Sequence, residues 1–165
     1  MHYSFSMTEE QHIDGLGRLV ANLQSIEFMV RIVLSRLPGA VAYGIPKGTN
    51  TYSYAVGSDL PENDVTNYDS LGQLIDRYNA HNDVKKEGAI ISRDLVELRD
   101  ILAHGRVSTV FRVPMDLIKF SRPNGGRVTV VCNVTMDEPW FEKNLALTRN
   151  SIAILKRMHD SLPPT

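Results

Sequence analysis

At 165 residues the chain is long enough for one domain with a sizeable core, expected to extend over residues 1–165. Hydrophobic residues make up 42% and charged residues 22%, an ordinary globular balance, and a formal net charge of −1 excludes global steering towards nucleic acid. A single cysteine, Cys132, excludes an internal disulfide and a cysteine-based zinc site.

The opening Met1-His2-Tyr3-Ser4-Phe5, soon followed by Glu9 and Glu10, has neither the basic start nor the apolar run of a secretion signal. The longest apolar run, Phe28 to Leu34 across Arg31, is too short to span a bilayer. A cytoplasmic protein with no membrane contact is expected.

Thr8-Glu9-Glu10-Gln11 reads as a capping box that opens a helix, and Pro38-Gly39 stops it after Leu37. Leu16, Leu19, Leu23, Val30, Leu34 and Leu37 form its main apolar stripe, with Glu27 inside it. A carboxylate there either meets an arginine, with Arg93 or Arg99 as candidates, or reaches water. Phe28, Met29 and Ile32 lie off the stripe and predict a second burial surface, most simply between subunits.

From Pro38 to Tyr68 the chain is rich in Gly, Pro, Ser, Thr and Asn, a connection of about thirty residues whose length suggests a functional role. Thr51 to Val56 has strand-like content and predicts a short edge strand. Lys47, Tyr52 and Tyr54 are candidate nucleotide contacts, although the tyrosines would serve equally well as packing over the bundle end. Ser70 and Gln73 then form a second reciprocal cap, opening a helix marked by Leu71, Leu74, Ile75 and Tyr78 that ends near His81. The histidines, at 2, 12, 81, 104 and 159, form no His-x-x-x-His pair, so no metal and no cofactor is expected.

An amphipathic stretch from about Lys86 to Gly105 places Ile91, Leu95, Leu98 and Leu102 on one helical stripe. Arg93, Glu97, Asp100 and His104 stack on the opposite side, with Arg99 between the two stripes. Asp100 and His104 are one turn apart, so the carboxylate can orient the imidazole, while Arg99 can swing a fixed cation towards the same patch. A proton shuttle beside a cation suits phosphodiester cleavage. The same residues at a helix end would also serve as ordinary surface chemistry.

The run Arg99-Asp100-Ile101-Leu102-Ala103-His104, an Arg followed by a polar residue and then a His near the end of a long helix, resembles the signature of the HEPN superfamily. That resemblance implies an all-helical domain working as a homodimer, with two motifs lining one cleft. It also implies a metal-independent endoribonuclease in which attack by the ribose 2′-hydroxyl gives a cyclic phosphate, with His104 as general base or acid, Arg99 stabilising the phosphorane and Asp100 orienting the imidazole. Similar proteins belong to toxin, antiphage and RNA-processing systems, and an antitoxin protein is an implied partner. Others in the superfamily have lost activity and only bind, which is the alternative for this chain.

After His104 the period becomes alternating. Leu117 to Ser121 and Arg127 to Val134 flank Pro123-Asn124-Gly125-Gly126 and predict a β-hairpin, with Cys132 as a small core residue among Val128, Val130 and Val134. Between Arg99 and Arg127 six basic residues (Arg99, Arg106, Arg112, Lys119, Arg122 and Arg127) face two acidic ones, a local excess that would contact RNA phosphates or form a solvated surface. Asp137-Glu138-Pro139 opens a last helix with Phe141, Leu145, Thr148, Ile152, Leu155 and His159 on one face. His159 is expected to be half-buried packing. No phosphate-cradling glycine loop and no Gly-x-Ser-x-Gly elbow occurs, which argues against an NTPase or serine hydrolase. The expected fold is mainly α: a four-helix antiparallel bundle with the hairpin between the last two helices.

Overall fold

Thr8 and Gln11 open the first helix, α1 (Glu9–Leu34), by exchanging hydrogen bonds: the Thr8 N–H donates to Gln11 Oε1 at 2.8 Å and the Gln11 N–H to Thr8 Oγ1 at 3.2 Å. This is the predicted box. The helix ends at Leu34 rather than Leu37, and Leu37 is buried in the turn that follows.

The computed structural model describes residues 7–40, 51–108 and 113–163. Among these, the protein is mainly helical with a small antiparallel sheet. The elements after α1 are a 3-10 turn (Thr51–Ser53), α2 (Leu71–Ala80), α3 (Asn82–Lys86), α4 (Asp94–His104), β1 (Arg106–Val107), β2 (Asp116–Phe120), β3 (Val130–Thr135) and α5 (Glu138–Ser161). No helix among the described residues is long and apolar enough to cross a membrane. Two compact units result, one from the residues up to Leu23 together with Arg93–Asn150, the other from Gln24–Ser92 together with Ser151 onward.

The second unit is built on Ile26, Val30, Leu74, Ile75, Tyr78 and Leu155, each fully buried. Ser70 and Gln73 cap α2 reciprocally, as expected. The helix predicted from Lys86 begins instead at Asp94. Gly88 turns the chain at a φ of 61°, a left-handed conformation that glycine adopts without strain. The residues beyond it bond across to α2: the Tyr78 hydroxyl donates to the Ala89 carbonyl at 2.8 Å, and the Asn79 amide both donates to the Ile91 carbonyl and accepts from the Ile91 N–H. Burial pushes the Tyr78 hydroxyl up to about 12. Ile91 is therefore buried, as its place on the stripe required, but from chain outside any helix. Where a strand was expected over Thr51 to Val56, the chain makes the 3-10 turn, whose Tyr52 ring lies 6.0 Å from that of Phe28.

Two arginines fasten the long connection in this unit. Arg31 donates to the Asn67 carbonyl and side chain at 2.9 and 2.7 Å and to the Asp69 carbonyl at 2.7 Å, and Arg77 pairs with Asp64 and Asp69. A third, Arg36, donates to the carbonyl of His159 in the last turn of α5 and to those of Leu162 and Pro163 just beyond it. Carbonyl groups that lack helical partners are satisfied this way.

The first unit carries the sheet. Its order is β1-β2-β3, all antiparallel, so the expected hairpin gains an edge strand from the two residues after Gly105. Gly125 and Gly126, both at positive φ, make the hairpin turn between the bridged Asn124 and Arg127. Leu117 pairs with Val134 and Lys119 with Cys132, and a bulge follows between Lys119 and Phe120. Cys132 is half-buried rather than a core residue, because β3 is an edge strand on which Val130 and Val131 are exposed. At the start of α5 the Trp140 N–H donates to Asp137 Oδ1 at 3.0 Å.

Candidate active site

The carboxyl end of α4 sets the geometry. Leu95 and Leu98 are buried on one side of the helix, which leaves Glu97, Arg99 and His104 exposed and Asp100 half-buried on the others. Gly105 ends the helix in an extended conformation, φ −71°, so no left-handed turn requires glycine here. Close approach requires it: a Cβ would stand 2.8 Å from Leu117 Cδ2 and against the Ile101 carbonyl oxygen. The end of α4 is thereby pressed onto β2, which carries Lys119 to Asp100.

His104 Nε2 lies 3.7 Å from Asp100 Oδ1, too far for a hydrogen bond but close enough for the carboxylate to attract a protonated ring. The other carboxylate oxygen, Oδ2, accepts from Lys119 Nζ. Lys119 is the most enclosed member, its side chain 19% exposed against 43% for Asp100 and 63% for His104. These three groups stand at the edge of an open hollow of about 590 Å³, completed by Phe120, Ser121, Arg122 and Val131. Two cations and one carboxylate line it, so its charge is +1 with His104 neutral. A smaller hollow beside it, about 270 Å³, is lined by Glu97, Asp100, Ile101, Lys119, Val131 and Cys132.

The sequence-predicted residues divide sharply. Asp100, His104, Lys119 and Arg122 come together around the larger hollow, and Glu97 borders the smaller one. Arg99 is exposed on α4 and lines neither hollow. Arg93 stands at the start of α4, where its side chain makes no cap hydrogen bond. The Arg106 guanidinium lies 5.2 Å from the centre of the Phe120 ring, and Arg127 is exposed at the hairpin turn. Glu27 meets an arginine, but the partner is Arg31, one turn on in its own helix at 3.3 Å, in place of Arg93 or Arg99. Tyr52 is exposed beside Phe28 and Tyr54 is half-buried. Lys47 and Arg112 lie outside the described residues.

The Lys119–Asp100 pair has a signal in the sequence. Lys119 shares strand parity with Leu117, so it belongs to the face that is buried, and a cation on that face calls for a carboxylate. No family model, no curated protein and no solved structure matches the chain.

Proposed function

We propose that this chain is a HEPN-like metal-independent endoribonuclease that acts as a homodimer. The observation that carries the reading is the exposed imidazole of His104 beside the Asp100 carboxylate at the rim of a hollow with net positive charge. In this reaction His104 removes the proton from a ribose 2′-hydroxyl as general base. The oxygen attacks the adjacent phosphorus, the bond to the 5′-oxygen of the next nucleotide breaks as that oxygen takes the proton back from His104, now the general acid, and a 2′,3′-cyclic phosphate remains. Asp100 orients the ring by its charge, and Arg99 supplies positive charge to the phosphorane as its negative charge grows. The fold that goes with this reading is a four-helix antiparallel bundle with the hairpin between its last two helices. The exposed Val131 at the edge of the hollow supports an apolar contact there, which in a homodimer a second copy would cover. A cytoplasmic place, a toxin or defence role and a neutralising antitoxin protein belong to the same proposal.

A second reading has its own support. Lys119 occupies one oxygen of Asp100, and Arg99 lies off both hollows. A catalytically silent homodimer that only binds RNA, nucleotides or another protein fits those two facts. Purified protein incubated with single-stranded and structured RNA separates the readings. Cleavage with a 2′,3′-cyclic phosphate product, reduced about a thousandfold in His104→Ala and strongly in Arg99→Ala, supports the enzyme. Equal residual cleavage in all three samples removes it.

A further inference from the structure

Asp100 takes one of the three ammonium protons of Lys119. The others are uncommitted among the described residues, and the side chain is held beside the hollow by that ion pair and by its strand. Arg122 lines the same space, is exposed, and forms no ion pair among the described residues, the one carboxylate of the lining, Asp100, being paired with Lys119. We infer that Lys119 and Arg122 hold the ground-state phosphate of a single-stranded RNA in this hollow. The inference rests on the ribonuclease reading for the nature of the polyanion.

Physical grounds separate the roles. An ammonium positioned by a carboxylate remains cationic and loses little freedom when it accepts a second anion, so it binds phosphate in the resting site. Lys119 also ties phosphate to imidazole, because the carboxylate it touches is the one beside His104. Arg122 reaches the hollow from just past the end of β2, opposite the bulge whose extra residue, Val131, lies on β3 and lines the same hollow.

The test measures binding without cleavage. A short single-stranded 2′-O-methyl oligoribonucleotide lacks the attacking hydroxyl, so its affinity is read by fluorescence anisotropy across a salt series whether or not the protein is an enzyme. Lys119→Met and Arg122→Met should each weaken binding about tenfold and lower the salt slope by about 0.7, one phosphate contact each on a single strand. Lys119→Arg should restore most of the loss, which a merely structural lysine would not show. Arg18→Met, which removes an exposed cation paired with Asp14 on α1, should bind like the parent. An unchanged slope in Lys119→Met and Arg122→Met, or an equal loss in Arg18→Met, overturns the assignment. If the analogue binds through Lys119 and Arg122 while natural RNA stays intact, the phosphate site stands and the ribonuclease reading falls.

Discussion

Arg31 and Lys119 are both enclosed cations, and the difference between their surroundings separates structure from function. Arg31, with its side chain 10% exposed, directs its guanidinium at two backbone carbonyls, an asparagine oxygen and Glu27, so four of its five N–H groups are spent within the chain. Lys119, at 19%, gives one proton to a carboxylate that is itself partly open to water and keeps the rest beside a hollow. Burial alone does not distinguish the two. What distinguishes them is the donor capacity left over, because spent donors hold a loop whereas unspent donors can hold a ligand.

The largest effect is expected where least is left over. Arg31→Met leaves the Asn67 and Asp69 carbonyls without their donor, and should cost about 3 kcal/mol, lowering Tm by roughly 10 °C in thermal denaturation. Arg122→Met should leave Tm within about 2 °C of the parent, since that side chain is exposed. Equal losses of stability in the two variants would break the distinction.

A smaller effect tests how the site is held. Gly105→Ala places a methyl against Leu117 and the Ile101 carbonyl oxygen, so the end of α4 must move away from β2. The cost should be about 2 kcal/mol by overpacking, and the same shift should loosen Lys119 from Asp100. Weaker binding of the uncleavable oligoribonucleotide together with a lower Tm would sharpen the comparison, because it would tie the open cation to one glycine. A full loss of stability with unchanged binding would separate the two.

How much of this was legible in the sequence depends on the range over which each interaction acts. Both reciprocal caps are set by residues three apart and were readable directly, as was the hairpin turn at Asn124 to Arg127. The start of α4 was not. Ile91 fits a helical stripe, but Asn79 bonds its backbone from twelve residues away and holds it outside any helix, and periodicity carries no record of that. Glu27 shows the same gap in reverse, since the need for a cation was clear and the nearest one, Arg31, was overlooked in favour of the motif arginines. At the site, the Asp100 and His104 spacing was visible on a wheel, whereas the arrival of Lys119 depended on strand register and on the contact at Gly105.

The smallest expected effect concerns a buried imidazole. His12 is fully buried, its ring meets Phe141 edge to face at 5.1 Å, and neither ring nitrogen has a hydrogen-bond partner among the described residues. Desolvation disfavours the charged ring and lowers its pKa below the ordinary 6.5. In the unfolded chain the imidazole titrates near 6.5, so as pH falls through that value the unfolded state takes up a proton that the folded state resists. Stability due to the neutral ring is therefore complete above about pH 6.5 and declines below it. His12→Leu should change stability at pH 7.5 by about 1 kcal/mol or less, because lost ring packing offsets relief of a buried polar group. Denaturation midpoints measured from pH 7.5 down to pH 5 should fall less steeply in the variant than in the parent. Parallel curves would mean that His12 finds a partner when protonated, and the ring would then belong with Lys119 rather than with the committed groups.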